Sequence, residues 1–140
     1  MRFVIIGAGR VGLRTARVLS AEGHEVTLIE RDAEMADRAR DEGYNVVEGD
    51  GSRESILEEA GIQTIDFLSM DIEGAEIAAL AGFSIERYKP SLACVEAKPE
   101  NREKLAAYFA AHGYEQLQQY AKRDPVNNYY APKAKAAAPR

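Results

Sequence analysis

Residues 4–12 read Val-Ile-Ile-Gly-Ala-Gly-Arg-Val-Gly, a short apolar run that breaks into Gly7, Gly9 and Gly12 at the spacing G-x-G-x-x-G. Alone the glycine pattern is common, and an ordinary tight turn between a strand and a helix would account for it. Its surroundings say more. The run before Gly7 reads as a strand, Val11, Thr15, Val18 and Leu19 recur at the spacing of a helix face, and Glu30 stands eighteen residues beyond Gly12, at the end of a second β-branched run, Val26-Thr27-Leu28-Ile29. In that setting Gly7 permits the turn, Gly9 lets a pyrophosphate approach the backbone, and Gly12 lets the helix pack closely on the strand. The amide groups around Arg10 and Val11 would meet phosphate at the positive end of the helix.

Glu30 is placed to accept hydrogen bonds from a ribose diol, and its charge would repel a 2′-phosphate, so NAD(H), ADP or ATP fits better than NADP. A solvated carboxylate at a strand end is the plainer reading of the same residue. Arg31 is either a ribose contact or a surface arginine beside Asp32. Asp50, after a third strand at Tyr44–Glu48, could accept from an adenine amino group or serve as a turn residue or helix cap.

Working outward, Asp32 reads as the N-cap of a charged helix to Arg40, and a short helix holds Ile56 and Leu57 before Gly61. Residues 65–72 form a nearly continuous apolar run suited to a central strand. Ile77, Leu80 and Ala81 mark the next helix, residues 91–96 a fifth strand, and Leu105, Tyr108, Phe109 and His112 one face of a further helix closed by Gly113. Residues 114–122 and 127–131, separated by Arg123-Asp124-Pro125-Val126, read as a terminal hairpin, and 133–140 as a frayed tail. Strands alternating with helices predict one α/β domain over residues 1–132: a single doubly wound Rossmann-like sheet, mostly parallel, in the order 3-2-1-4-5-7-6 with an antiparallel C-terminal hairpin.

The chain has 140 residues, 46% of them apolar, with 18 Lys and Arg against 23 Asp and Glu for a net charge of −5. That balance argues against nucleic acid as a partner. No apolar run reaches the roughly 18 to 20 residues that span a bilayer, so the expectation is a soluble, cytoplasmic protein with no membrane contact and a small-molecule nucleotide as partner. One cysteine and two histidines leave no disulfide and too few ligands for a zinc module, and no metal ligands are assigned. Cys94, mid-strand, reads as a small apolar side chain.

Three stretches, VIIGAGRVG, EGHEVTLIERD and NVVEGDGS followed by LEEAGI, resemble the nucleotide-binding half of the RCK (TrkA-N) domains that regulate potassium channels and transporters, over residues 1–62. The resemblance implies NAD(H) or adenine-nucleotide binding, with Gly7, Gly9, Arg10, Val11 and Gly12 on the phosphates, Glu30 and Arg31 at the ribose, and Asp50 near the adenine. Residues 66–132 are instead similar to the C-terminal half of FkbM-type S-adenosylmethionine (SAM)-dependent methyltransferases, through DFLSMDIEGAE at 66–76. Together the two resemblances imply a chimera, engineered or recombined, joined between Ile62 and Asp66. It would at most bind NAD(H) or ADP/ATP at the GAGRVG turn. A SAM-dependent O-methyltransferase and a fold with no ligand are the alternatives. Asp71, Glu73 and Glu76 offer a general base or metal-assisted site under the methyltransferase reading, but helix capping explains them as well, and no catalytic residue is assigned.

Overall fold

The computed structural model describes residues 1–51, 53–72 and 74–134. Most of the expected tail, and with it Ser52 and Glu73, lies outside the described residues.

The strands are β1 (Arg2–Ile6), β2 (Glu25–Glu30), β3 (Asn45–Glu48), β4 (Phe67–Met70), β5 (Leu92–Glu96), β6 (Tyr114–Gln116) and β7 (Asn127–Pro132). The helices are α1 (Arg10–Ala21), α2 (Ala33–Asp41), α3 (Glu54–Glu59), α4 (Glu76–Gly82), α5 (Ile85–Tyr88) and α6 (Arg102–Ala111). One seven-stranded sheet runs β3-β2-β1-β4-β5-β7-β6, with β7 antiparallel to both β5 and β6. Order and hairpin agree with the expectation.

The pleat sends alternate residues of β1 to opposite faces. Val4 and Ile6 join Ile29, Leu57, Leu68 and Leu80 on one side, while Phe3 and Ile5 join Ala16, Val26 and Leu28 on the other. Strands covered on both faces read as continuous apolar runs, which is why β1 and β2 show no polar alternation. Between β1 and β4, where the two resemblances would meet, Val4 pairs with Leu68, Ile5 with Ser69 and Ile6 with Met70. Leu68 and Met70 are fully buried there.

Three local expectations are corrected. On α1, Val11 and Val18 are exposed, at 56% and 54%, whereas Ala16 is buried and Leu13 and Leu19 are partly so. The inward face is set by Gly12, where an added Cβ would sit 2.0 Å from the Gly7 carbonyl oxygen. This contact rotates the helix so that residues in line with Gly12 and Ala16 face the sheet. Second, β4 has four residues, not eight. Beyond Met70 the amides of Ile72 and Gly74 donate to the Glu76 carboxylate instead of to a neighbouring strand. Third, the first arm of the hairpin stops at Gln116 and passes into a 3₁₀ turn at Gln118–Tyr120. Of the expected tail, Lys133 is described, and its amide donates to the Gly113 carbonyl at 2.9 Å.

Aromatic packing closes the C-terminal end of the core. Phe109 of α6 stacks on Tyr130 of β7, with ring centroids 3.9 Å apart, and meets Tyr114 edge-on. The Tyr114 hydroxyl donates to the Pro90 carbonyl, satisfying the one polar atom that ring carries into the interior.

Candidate functional site: a cleft at the parting of β1 and β4

In an open parallel sheet the helices after β1 and after β4 lie on opposite faces, so a crevice opens at the carboxyl ends of those neighbouring strands. Two hollows occupy that position. One, of about 540 Å³, lies between Gly7, Glu30, Arg31, Met35, Asp50 and Ala78. The other, of about 390 Å³, lies over Gly9, Arg10, Val11 and Gly12 and reaches Ser69 and Asp71. Gly7, Gly9 and Asp71 line both. All eight residues singled out in the sequence therefore border these hollows.

The turn is shaped by its glycines. Gly7 adopts φ +99°, which side-chain-bearing residues avoid. Its amide donates to the Ile29 carbonyl, tying the turn to the end of β2. Gly9 is the N-cap of α1 and brings no side-chain cap, and the first turn holds no acidic residue. The opening amides of α1 thus face the hollow beside the Arg10 guanidinium, an arrangement that suits an anion.

Glu30 does more than end a strand. Its Oε2 accepts from the Ala8 amide at 2.6 Å and its Oε1 from the Asp32 amide at 2.9 Å. Those two bonds hold the carboxylate at the rim of the larger hollow, and each oxygen keeps further lone-pair capacity for a diol. Asp32 in turn caps α2, accepting from the Met35 amide at 2.9 Å, which carries the Met35 side chain toward Gly9. Asp50 lines the same hollow, and its carbonyl accepts from the Arg53 amide.

The carboxylates after β4 are arranged differently from the expectation. Glu76, at the start of α4, is fully buried, and its Oε1 accepts from the Ile72 and Gly74 amides at 3.0 and 3.2 Å. These bonds brace the loop that leads into α4 and are not the helix cap considered for it, since the N-cap of α4 is Ala75 and carries no side-chain cap. Asp71 is exposed at the cleft floor, and the residue that joins them is Glu96, at the end of β5. Glu96 was missed because only the pairing of β4 with β5 brings residues 71 and 96 together. Its signal in the sequence is its place as the last residue of an apolar strand, equivalent to Glu30 and Glu48.

Cys94 is half-buried against Tyr129, and burial pushes its thiol up to about 11 while a hydrogen bond with Tyr129 works the other way. It is held as the unreactive thiol. His112 ends α6, its Nδ1 lying 2.7 Å from the Tyr108 carbonyl oxygen. Among the described residues no helix is long and apolar enough to cross a membrane.

The chain is 33% identical over 105 residues to a Trk system potassium uptake protein TrkA homolog of Methanothermobacter thermautotrophicus, covering 74% of this chain and 49% of that protein. It spans about half, or less, of the length of the curated relatives it matches. Its fold is similar to that of the NAD(P)-binding domain of an exopolyphosphatase-related protein from Archaeoglobus fulgidus, with TM-score 0.66 at 20% identity over 76% of this chain and 80% of that one. It is equally similar to that of a predicted O-methyltransferase from Agrobacterium tumefaciens, with TM-score 0.66 at 20% identity over 96% of this chain and 75% of that one. The family match itself runs from residue 3 to residue 117, through the expected junction at 62–66 and well beyond the first half. By that match the chain belongs to the TrkA-N domain family.

Proposed function

We propose that the chain binds NAD(H) across the Gly7–Gly12 turn. The observation that carries this reading is the Glu30 carboxylate, fixed by the Ala8 and Asp32 amides at the rim of a hollow that continues past the uncapped N-terminus of α1. Arg10, Val11 and Gly12 would take the phosphates, Glu30 and Arg31 the adenosine ribose, and Asp50 the adenine. Two hollows meeting at Gly7 and Gly9 favour a dinucleotide, each half on its own side of the turn, over ADP or ATP, which would use the larger hollow alone. A 2′-phosphate would meet the negative charge of Glu30, which disfavours NADP(H).

Isothermal titration with NADH, NADPH, ADP, ATP and S-adenosylmethionine tests the reading. Heat with NADH, and binding of NADPH weaker by about tenfold or more, is the expected result. Heat with S-adenosylmethionine alone would move the chain to the methyltransferase reading, and no heat with any of the five would leave a fold without ligand.

Separate ancestry of the two halves belongs to the same reading. The DFLSMDIEGAE segment and the antiparallel β6–β7 pair support it, and the family match through residue 117 weighs against it. If residues 66–132, compared by themselves, prove closer to TrkA-N sequences than to methyltransferases, the chimera is overturned.

A further inference from the structure

We propose that two copies of this chain pair through α1, each copy laying that helix in a trough on the other's sheet. The trough is one side of β4, β5 and β7. β1 and β2 are buried on both faces, whereas along β4 and β5 buried residues alternate with half-open ones. Leu68, Met70, Ala93, Val95 and Tyr130 turn into the core shared with α3 to α6. Register sets Phe67 beside Leu92, Ser69 beside Cys94 and Cys94 beside Tyr129 on the opposite side, all half-open.

Phe67 packs there against the core that Ala16 of α1 and Ala39 of α2 complete over β1 and β2, but Leu92, Cys94, Tyr129 and Ala131 belong to neither core. Tyr120 overlaps one end, its ring centroid 4.9 Å from that of Tyr129, and is itself 39% exposed. Parallel strands such as β4 and β5 are almost always covered on both faces. This side of the sheet therefore calls for a cover.

α1 is shaped to supply one. Gly12 and Ala16 face its own sheet, and Arg17 pairs with Glu42 on the side of α2. Helical spacing puts Val11 and Val18 on the other flank, beside the trough, with exposed Arg14 pointing outward. That Val11 lines the smaller hollow with Ser69 places this flank on the β4 side. A two-fold axis parallel to the strands, between α1 and the trough, brings the helix of each copy over the trough of the other. The two helices then lie side by side between the sheets, valines to valines, at the roughly 8 to 10 Å of packed helices, and Arg14 faces the second copy's strands.

The charges match. Residues 10–21 hold three arginines and no acid. On the trough, Glu115 stands opposite Ala131, Glu96 lies two residues beyond Cys94, and Asp124 accepts from the Tyr129 hydroxyl. A second copy is chosen over a foreign helix because one chain carries both complementary surfaces next to each other, as an isologous contact requires. This inference does not rest on nucleotide binding, and its test contains no nucleotide.

Sedimentation equilibrium of the full chain, up to about 10⁻⁴ M, should show a reversible monomer–dimer equilibrium. Val18→Lys, Arg14→Glu and Leu92→Lys should each weaken dimerisation about tenfold or more, with circular dichroism confirming the fold. Should Leu92→Lys fail to fold, the two surface variants decide. Lys104→Glu, exposed on α6 at the other side of the sheet, should dimerise like the wild type. A wild-type chain that is monomeric at every concentration would overturn the inference and leave the trough to a different protein. A dimer that survives in both Val18→Lys and Arg14→Glu would overturn it by placing the contact elsewhere.

Discussion

The Ala8 amide donates to the Glu30 carboxylate at 2.6 Å, so the residue that would read the ribose also braces the turn that would hold the phosphates. Ala8 is itself buried, and among the described residues the Glu30 carboxylate is the acceptor for its amide. Glu30→Ala should therefore act twice. Titration calorimetry should show NADH binding weakened about tenfold or more, a loss of about 1.4 kcal/mol, and a narrower gap between NADH and NADPH. Urea unfolding should show about 1 to 3 kcal/mol of lost stability, from a buried donor left without its partner.

Gly9 and Gly12 separate fold from ligand. A Cβ at Gly12 would lie 2.0 Å from the Gly7 carbonyl oxygen, a backbone atom that cannot swing aside, whereas at Gly9 it would meet only the Met35 methyl at 3.7 Å. Gly9 also has φ −69°, which alanine adopts freely. Gly12→Ala should lose about 4 kcal/mol or more, or fail to fold. Gly9→Ala should keep its circular dichroism and melting temperature and lose NADH binding.

At the centre of the sheet Leu68 is fully buried opposite Val4. Leu68→Ala should cost about 2 to 5 kcal/mol in urea unfolding. A cost under about 1 kcal/mol would mean that β1 and β4 are loosely packed where the two resemblances meet, as poorly matched halves would be.

The terminal hairpin carries an acid-sensitive element. Burial works to raise the Asp124 carboxyl, but hydrogen bonds from the Asn127 side chain, the Tyr129 hydroxyl and the Asn127 and Val126 amides outweigh it and hold the group below its ordinary value of 3.8. A carboxyl depressed in the folded state contributes stability that is complete above its unfolded pKa and disappears as pH falls through the folded one. Asp124→Asn should therefore be less stable than the wild type at pH 7, with the difference shrinking below pH 3.8. A difference constant from pH 7 to pH 2 in urea unfolding would show that ionisation of Asp124 is irrelevant.

What could be read in the chain follows how far apart the cooperating residues lie. The strand–turn–helix at residues 4–12 and Glu30 were legible because local spacing and strand polarity specify them, and the hairpin because Asp124-Pro125 breaks two strand-like pieces. Val11 and Val18 misled because helical periodicity describes which residues share a face, not which face turns inward. That choice is made by the contact of Gly12 with Gly7. The shortness of β4 was hidden because Ile72 is as apolar as its neighbours, and only the Glu76 carboxylate, taking the amides of residues 72 and 74, ends the ladder. Glu96 and Asp71 are 25 positions apart and meet only through pairing. The reach of the family likeness was also underestimated, because the distinctive glycines lie in the first half while the match extends to residue 117.

Among the described residues the sheet is bounded by its shorter strands, four residues in β3 and three in β6. The last residue of β3, Glu48, lies 3.6 Å from the Arg40 guanidinium, and soon after β6 the chain enters a 3₁₀ turn. An open strand edge is a template on which another chain can add, and brevity and charge are the usual defences. Concentrated solutions of this protein should therefore resist fibril growth, and strand exchange between copies would have to begin by unwinding one of these borders.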